Sequence, residues 1–367
     1  MKIRCDRNEL LDRLQSISGI VSATTTKPIL QCCLLKATPE RLSLEVTDLD
    51  ISSRLLVERH EVEEPGMAVL PAARLTSLLR ELPGGSVTFE TAQDGRSVDV
   101  KAESYEFRLL GEDAEEFPDV KGFAAETSLT LQRDKVADMF RRVGIAAARD
   151  ASRYQLSGVF VEIEDEDLQM TATDGKRLTH DSMRISNPKK ICVSAIIPNR
   201  AVDALCRILS HGSDEVQLAL HETEVQVGFD HGALMAKLVE GTFPEYQSVI
   251  PTEVKTRVKA RRSELLQAAK GASLVTDKET ATIRFRFGDD GIELESKASD
   301  IGKSRIQIEA EVQGDPLEIR FNPAFFIDAL RTVNDEEVRM EFYGEDKPGA
   351  VRDGQNYRHF LMPLVVG

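Results

Sequence analysis

Apolar residues follow two rhythms along this chain. Leu75, Leu78, Leu79 and Leu82, and again Val202, Leu205, Cys206 and Leu209, stand at i, i+3, i+4 and i+7, the spacing of one buried helix face. Elsewhere apolar and polar residues alternate singly, as in Arg41-Leu-Ser-Leu-Glu-Val46, Val87-Thr-Phe-Glu90 and Thr282-Ile-Arg-Phe-Arg-Phe-Gly288, which is the pattern of half-buried strands. Gly84-Gly85, Asp94-Gly95, Asp230-His-Gly232 and Asp289-Asp-Gly291 read as turns between strands. The pattern predicts helices over 7–20, 72–82, 133–149, 199–210, 261–275 and 323–334, set among short strands.

These elements recur in one order. A strand, an arginine and a helix come first, with Arg7, Arg133 and Arg262 separated by 126 and 129 residues. A strand ending in Thr47-Asp48, Thr173-Asp174 and Ser299-Asp300 follows, at steps of 126 and 126. Next comes a strand, a proline and a second helix. Pro71, Pro198 and Pro323 lie 127 and 125 apart, at a first-turn position where the missing N–H costs nothing. Phe117-Pro118 and Phe243-Pro244 close their units 126 apart, and Met362-Pro363 follows after 119. Landmarks in register three times over define an internal repeat. The chain divides into three domains, 1–124, 125–254 and 255–367, with short polar junctions Gly-Phe-Ala-Ala-Glu-Thr-Ser and Pro-Thr-Glu-Val-Lys-Thr. Each is α+β, two helices packed on antiparallel sheets.

Composition narrows the function. Over 367 residues, 41% hydrophobic and 30% charged content suits a folded protein. No apolar run approaches the roughly 18 residues of a membrane helix. The opening Met-Lys-Ile-Arg-Cys-Asp is charged early and lacks the apolar core of a secretory signal. Five cysteines, two of them adjacent at Cys32 and Cys33 and none in CxxC spacing, read as reduced thiols of a cytoplasmic protein. Without tryptophan, a stacking platform for single strands is disfavoured.

The net charge of −15 taken alone argues against nucleic acid, but its distribution does not. The six predicted helices hold seven more basic than acidic residues, which leaves −22 for everything else. Six equivalent basic helices facing one way make a positive inner wall inside an acidic exterior. Spaced about 8–10 Å apart, six close too small a circle for a duplex, whereas twelve give a circumference of about 100–120 Å. Two chains joined head to tail supply twelve. Such a ring holds DNA through phosphate contacts, without reading sequence.

The order of motifs resembles the bacterial sliding clamps, the beta subunits of DNA polymerase III, over the whole chain. The matching residues are Pro28-Ile-Leu30, Thr47-Asp-Leu-Asp50, Gly111-Glu-Asp-Ala-Glu-Glu-Phe-Pro118, Thr173-Asp-Gly-Lys-Arg-Leu178, Gly241-Thr-Phe-Pro-Glu-Tyr246, Phe321-Asn-Pro323 and Met362-Pro-Leu364. The resemblance implies three clamp domains forming half of a ring. It implies a non-catalytic processivity factor without cofactor or metal, acting on duplex DNA as a head-to-tail homodimer. The implied partners are the DNA polymerase III alpha subunit, an ATP-dependent clamp loader, and other polymerases and repair proteins with clamp-binding peptides; no membrane is involved.

The resemblance also implies a peptide pocket between the second and third domains. Its wall would include Leu156, Thr173, Gly175, Lys176, Arg177, Leu178, Pro244, Val249, Asn322, Phe325, Met362, Pro363 and Leu364. An apolar groove with a few orienting polar groups suits a peptide carrying glutamine and apolar anchors. Read from residues alone, Leu156 and Val249 could be core, and Thr173-Asp174-Gly175 only a turn. By the same resemblance DNA contacts would fall on Arg153, Tyr154 and Arg200, to which Lys27 and Arg149 are added. Ring closure would bring Phe107 and Leu109 against Leu274 and Val275, although these could equally be interior positions. This chain departs from the family at Ser248, where an arginine is common, and in its Leu-Val-Val-Gly ending, where a basic residue is expected, so its peptide preference is expected to differ. It departs also at Thr24, which aligns with a basic residue of the family in the loop before Pro28, with Lys27 close by.

Two rivals remain. For an enzyme, the histidines at 60, 180, 211, 221, 231 and 359 lack metal-ligand spacing, and no GxSxG, Walker loop or GxGxxG occurs. For a scaffold that binds only proteins, the basic helices are the objection.

Overall fold

The computed structural model describes residues 1–21, 25–210, 212, 214–277 and 281–364, and at 151–153 the backbone alone. Among the described residues are six α-helices: α1 (Arg7–Ile17), α2 (Ala72–Glu81), α3 (Arg133–Gly144), α4 (Asn199–Ile208), α5 (Arg262–Ser273) and α6 (Pro323–Thr332). Each starts within one residue of its predicted position and stops one to five residues sooner. The reasons are local. Leu82 precedes Pro83, which disfavours helical backbone, and its ψ is 135°. After Gly144 the apolar run continues as tighter turns, with Ala146 and Ala147 donating to carbonyls three residues back. Arg149 and Arg261 therefore lie outside helices, and the basic excess of the helices is five rather than seven.

The prolines need a correction. Pro71 and Pro198 are not first-turn residues but the N-caps of α2 and α4, with ψ of 112° and 139°. Only Pro323 sits in the first turn, behind Asn322, whose side chain accepts the Ala324 N–H at 2.9 Å.

The sheets do not stop at the repeat boundaries, and two compact units result. The first comprises 1–141, 163–166 and 185–240; the second comprises 142–162, 167–184 and 241–367. In the first unit an eight-stranded antiparallel sheet joins strands of two repeats. Gly232–Lys237 of the second repeat pairs with Ile51–Val57 of the first, with Ser53 and Leu234 opposite one another. In the second unit Arg177–Arg184 pairs in the same way with Tyr357–Leu361 of the third repeat. Each unit also carries a terminal sheet whose last strand is an edge, Tyr105–Leu110 in the first and Gly302–Ile308 in the second.

The helices cover apolar sheet faces. In the first unit α1 buries Leu10, Leu14 and Ile17 and packs against α2 and α4. In the second unit α5 and α6 close over an aromatic cluster of Phe285, Phe287, Phe321, Phe326 and Phe342. Burying an aromatic or leucine side chain of this kind contributes about 1.5–3 kcal/mol, so these faces anchor the strands that carry the site described next.

Candidate functional site

The turn at Thr173 is held entirely by its own residues. Thr173 Oγ1 donates to the Arg177 carbonyl at 2.6 Å and accepts the Gly175 N–H at 3.0 Å. Asp174 Oδ1 accepts the N–H groups of Lys176 and Arg177 at 2.9 and 3.0 Å. The turn at Thr47 has the same bonds: Thr47 Oγ1 donates to the Ile51 carbonyl and accepts the Leu49 N–H, and Asp48 Oδ1 accepts the N–H groups of Asp50 and Ile51. The third residue of both turns has positive φ, 83° at Gly175 and 80° at Leu49. A leucine tolerates that conformation at a strain of about 1–2 kcal/mol, so the turn alone does not demand glycine. What glycine changes is the surface: Leu49 projects a side chain that is 48% exposed, whereas Gly175 carries none.

Gly175 borders a cleft of about 470 Å³ within the second unit. Leu156, Thr173, Gly175, Arg177, Leu178, Pro244, Val249 and Met362 line it, eight of the thirteen residues expected there. Glu245, Tyr246, Ile250, Pro348 and Phe360 complete the lining and are not among those the sequence pointed to. They come from the segment after Gly241-Thr-Phe-Pro, from the loop before Gly349–Asp353 and from the last strand, Tyr357–Leu361. Alternation along Tyr357–Leu361 is the one available signal, and it does not separate a core residue from a cleft residue.

The other five expected residues stand outside the lining. Lys176 is exposed on the turn, and its carbonyl accepts the Met362 N–H at 2.9 Å. Asn322 is used as the cap of α6. Phe325 packs partly buried against the C-terminal core and lies under the Arg177 guanidinium at 4.5 Å. Pro363 and Leu364 follow the last strand, with the Leu364 N–H donating to the Arg320 carbonyl.

Arg177 is the fixed cation of the cleft. Its Nε lies 3.1 Å from Asp174 Oδ2 and its Nη1 3.0 Å from Asp328 Oδ2, with only 11% of the side chain exposed. Beneath the wall, Tyr246 is buried, donates to Glu162 Oε2 at 2.9 Å and faces the His180 ring at 5.8 Å. Burial, with the Glu162 carboxylate behind it, raises the Tyr246 pKa. Burial and then Arg358 push the His180 pKa down to about 4. Burial and then Arg177 push His359 down to about 3. Both imidazoles are therefore neutral at neutral pH. The cleft offers apolar walls, a neutralised cation and a few polar edges, which suits binding of apolar side chains rather than proton transfer.

The basic residues expected to meet DNA are spread over both units. In the first, Lys27 is exposed, and Arg200 extends from α4 with Nη1 2.7 Å from Asp48 Oδ2. In the second, Arg149 and Tyr154 are exposed on the segment after α3. The side chain of Arg153 lies outside the described residues, as do Thr24 and Val365, Val366 and Gly367 at the chain end.

Of the residues expected at ring closure, Phe107 is exposed on the edge strand and Leu274 is 76% exposed just after α5. Val275 is partly exposed. Leu109 is buried in its own unit, opposite Val98, and does not present an interface face. The exposed apolar residues beside Phe107 are Tyr105 and Leu110 instead.

Among the described residues no group of three or more His, Cys, Asp or Glu is placed to hold a metal ion. Among the same residues no helix is long and apolar enough to cross a membrane.

Comparisons with known proteins follow the repeat. Family models of the DNA polymerase III beta subunit match as its N-terminal domain over residues 1–121, its central domain over 130–245 and its C-terminal domain over 247–364. The beta sliding clamp of Chlamydia muridarum (strain MoPn / Nigg) is 30% identical over 366 residues, 99% of each chain. The crystal structure of the DNA polymerase sliding clamp from Bacillus subtilis superposes with a TM-score of 0.90 at 26% identity, over 100% of both chains. The beta subunit from Thermotoga maritima gives 0.91 over 100% of both chains and, at 24% identity, speaks for the fold alone.

Proposed function

The chain belongs to the DNA polymerase III beta subunits, the bacterial sliding clamps, and from that premise we infer that the cleft beside Arg177 takes the apolar anchors of a partner's peptide tail. The protein is a DNA sliding clamp, a non-catalytic processivity factor that binds DNA and works with the polymerase and its clamp loader. The three repeats are its clamp domains, for which the limits 1–124, 125–254 and 255–367 are proposed.

One observation carries the pocket reading. An apolar cleft of about 470 Å³ is bordered by Gly175, at the turn position where the first repeat carries Leu49. The DNA polymerase III alpha subunit is the proposed principal ligand, with other polymerases and repair proteins using the same pocket. The walls bury anchors, and the fixed turn and Arg177 orient the peptide backbone. Lys176, Asn322, Phe325, Pro363 and Leu364 act as rim and support.

The head-to-tail dimer rests on two unpaired sheet edges. Tyr105–Leu110 and Gly302–Ile308 each end a sheet, and such edges seek a partner strand. Pairing the first with the second on another copy, with Phe107 against Leu274 and Val275, closes after two copies. Arg200, Lys27, Arg149, Tyr154 and Arg153 are proposed to meet phosphates on the inner wall, with Asp48 holding Arg200 in place.

Retention on DNA tests the whole reading. A loaded clamp stays on a closed circle and is lost when the circle is cut. Equal release from both forms rejects encirclement. Shortening the chain after Leu361 is expected to abolish capture of a polymerase tail peptide while the dimer persists.

A further inference from the structure

The cleft is lined by two charged groups of opposite sign, and they are not equivalent. Arg177 is spent within the fold: its guanidinium bonds Asp174 and Asp328, and its flat face lies on Phe325. Asp328 in turn also meets Arg331 at 3.4 Å, so this cluster carries its own counter-charges. Glu245, the other charged lining residue, makes no ion pair among the described residues. It stands at the N-cap of the short turn Tyr246–Val249, yet its side chain makes no capping bond there. Ser248 is neutral and adds no compensating charge, and its hydroxyl donates to the Glu245 backbone carbonyl at 2.9 Å rather than to the carboxylate. Around Glu245 the wall is apolar, with Pro244, Val249, Ile250 and Met362. Lys176, a nearby cation, is on the Gly175 turn and outside the lining.

A ligand that covers this wall removes water from around an uncompensated carboxylate. Left alone, that carboxylate opposes binding; matched by a cation, it gains from the drier surroundings. We propose that the segment this cleft selects carries a lysine or arginine beside its apolar anchors, paired with Glu245. The inference rests on the peptide-pocket reading above and adds the charge of the preferred partner.

Two fluorescein-labelled peptides with identical apolar anchors, one with lysine and one with glutamate at the adjacent residue, test it on the full-length protein. At about 50 mM salt the lysine peptide is expected to bind about two- to fivefold more tightly, with the gap closing near about 0.5 M. Glu245→Gln is expected to erase the difference. Equal affinities at low salt, tighter binding of the glutamate peptide, or a preference that survives Glu245→Gln each overturn the proposal. If neither peptide binds the wild-type protein, the pocket reading itself falls and takes this inference with it.

Discussion

Arg177, on the turn of the second repeat, donates from Nη1 to Asp328 on α6 of the third repeat at 3.0 Å, across 151 residues of sequence. This bond fixes the cationic wall of the cleft while sparing it from facing solvent. Arg177→Ala removes the cation that Asp174 and Asp328 share, leaving Arg331 at 3.4 Å beside Asp328, and uncovers the ring of Phe325. A loss of about 1–3 kcal/mol in stability is expected, with peptide affinity down about tenfold, which amounts to about 1.4 kcal/mol. Arg177→Lys recovers only part of the affinity, because an ammonium cannot fork between Asp174 and Asp328. Thermal melts and fluorescence polarisation on the same samples separate the two effects, and an unchanged peptide affinity in Arg177→Ala removes the residue from the site.

Gly175→Leu copies into the second repeat what the first already carries. Leu49 holds the same turn at φ 80°, so the substitution costs only about 1–2 kcal/mol. Its side chain closes the cleft mouth, and peptide capture is expected to vanish while dimer mass and DNA retention stay. Normal peptide binding by this variant shows that the opening is not the route in.

The buried imidazoles make stability fall with acidity. In the folded protein His180 titrates at about 4 and His359 at about 3, against 6.5 for the ordinary group. Both folded values are depressed, so below pH 6.5 the unfolded chain binds protons that the folded chain refuses. Their contribution is complete above pH 6.5, declines as pH falls toward 4 and 3, and is flat below. Between pH 6.5 and 4.5, His180 alone accounts for roughly 2–3 kcal/mol. Chemical denaturation of wild type and His180→Gln across this window is expected to give the variant a shallower slope. Parallel slopes contradict the assignment.

Phe107→Asp and Leu274→Asp each place a charge on an exposed apolar side chain beside a sheet edge. Sedimentation of either is expected to shift the mass from two chains toward one 40.8 kDa chain, with melts little changed because neither residue is core. Leu109→Ala is expected to do the reverse, costing about 2–5 kcal/mol of stability as a buried truncation. A dimer that persists in both aspartate variants moves the interface elsewhere.

Arg153→Ala with Arg200→Ala is expected to weaken association with DNA by the same factor on unrelated sequences. The slope of log affinity against log salt is expected to drop by about one for each phosphate the protein no longer neutralises. Identical loading and retention at several salt concentrations remove both residues from the DNA face.

Much of this protein is legible in its sequence. Helix starts at Arg7, Ala72, Arg133, Asn199 and Pro323 follow from local periodicity and are met to the residue, with α5 one residue later than expected. Helix ends are not, because Pro83 acts on its predecessor and the run after Gly144 keeps helical apolar spacing while its backbone tightens. Within the cleft, the residues of the Thr173-Asp-Gly-Lys-Arg-Leu178 motif come through the resemblance. Tyr246, Pro348 and Phe360 do not, since each reads as an ordinary core or loop residue in its own segment.

The amino-acid order alone determined the threefold repeat, the helix faces and the segregation of basic residues onto helices, because each depends on spacings within a few turns or on simple counts. Tertiary structure decided what touches what. It paired strands across the repeat boundaries, placed Glu245 in an apolar wall, and turned Leu109 inward while leaving Leu110 70% exposed. The physical reason is that hydrogen-bonded edges and apolar faces are satisfied by whichever partner the whole fold brings within reach, and from Ser53 to Ala233 that partner lies 180 residues away.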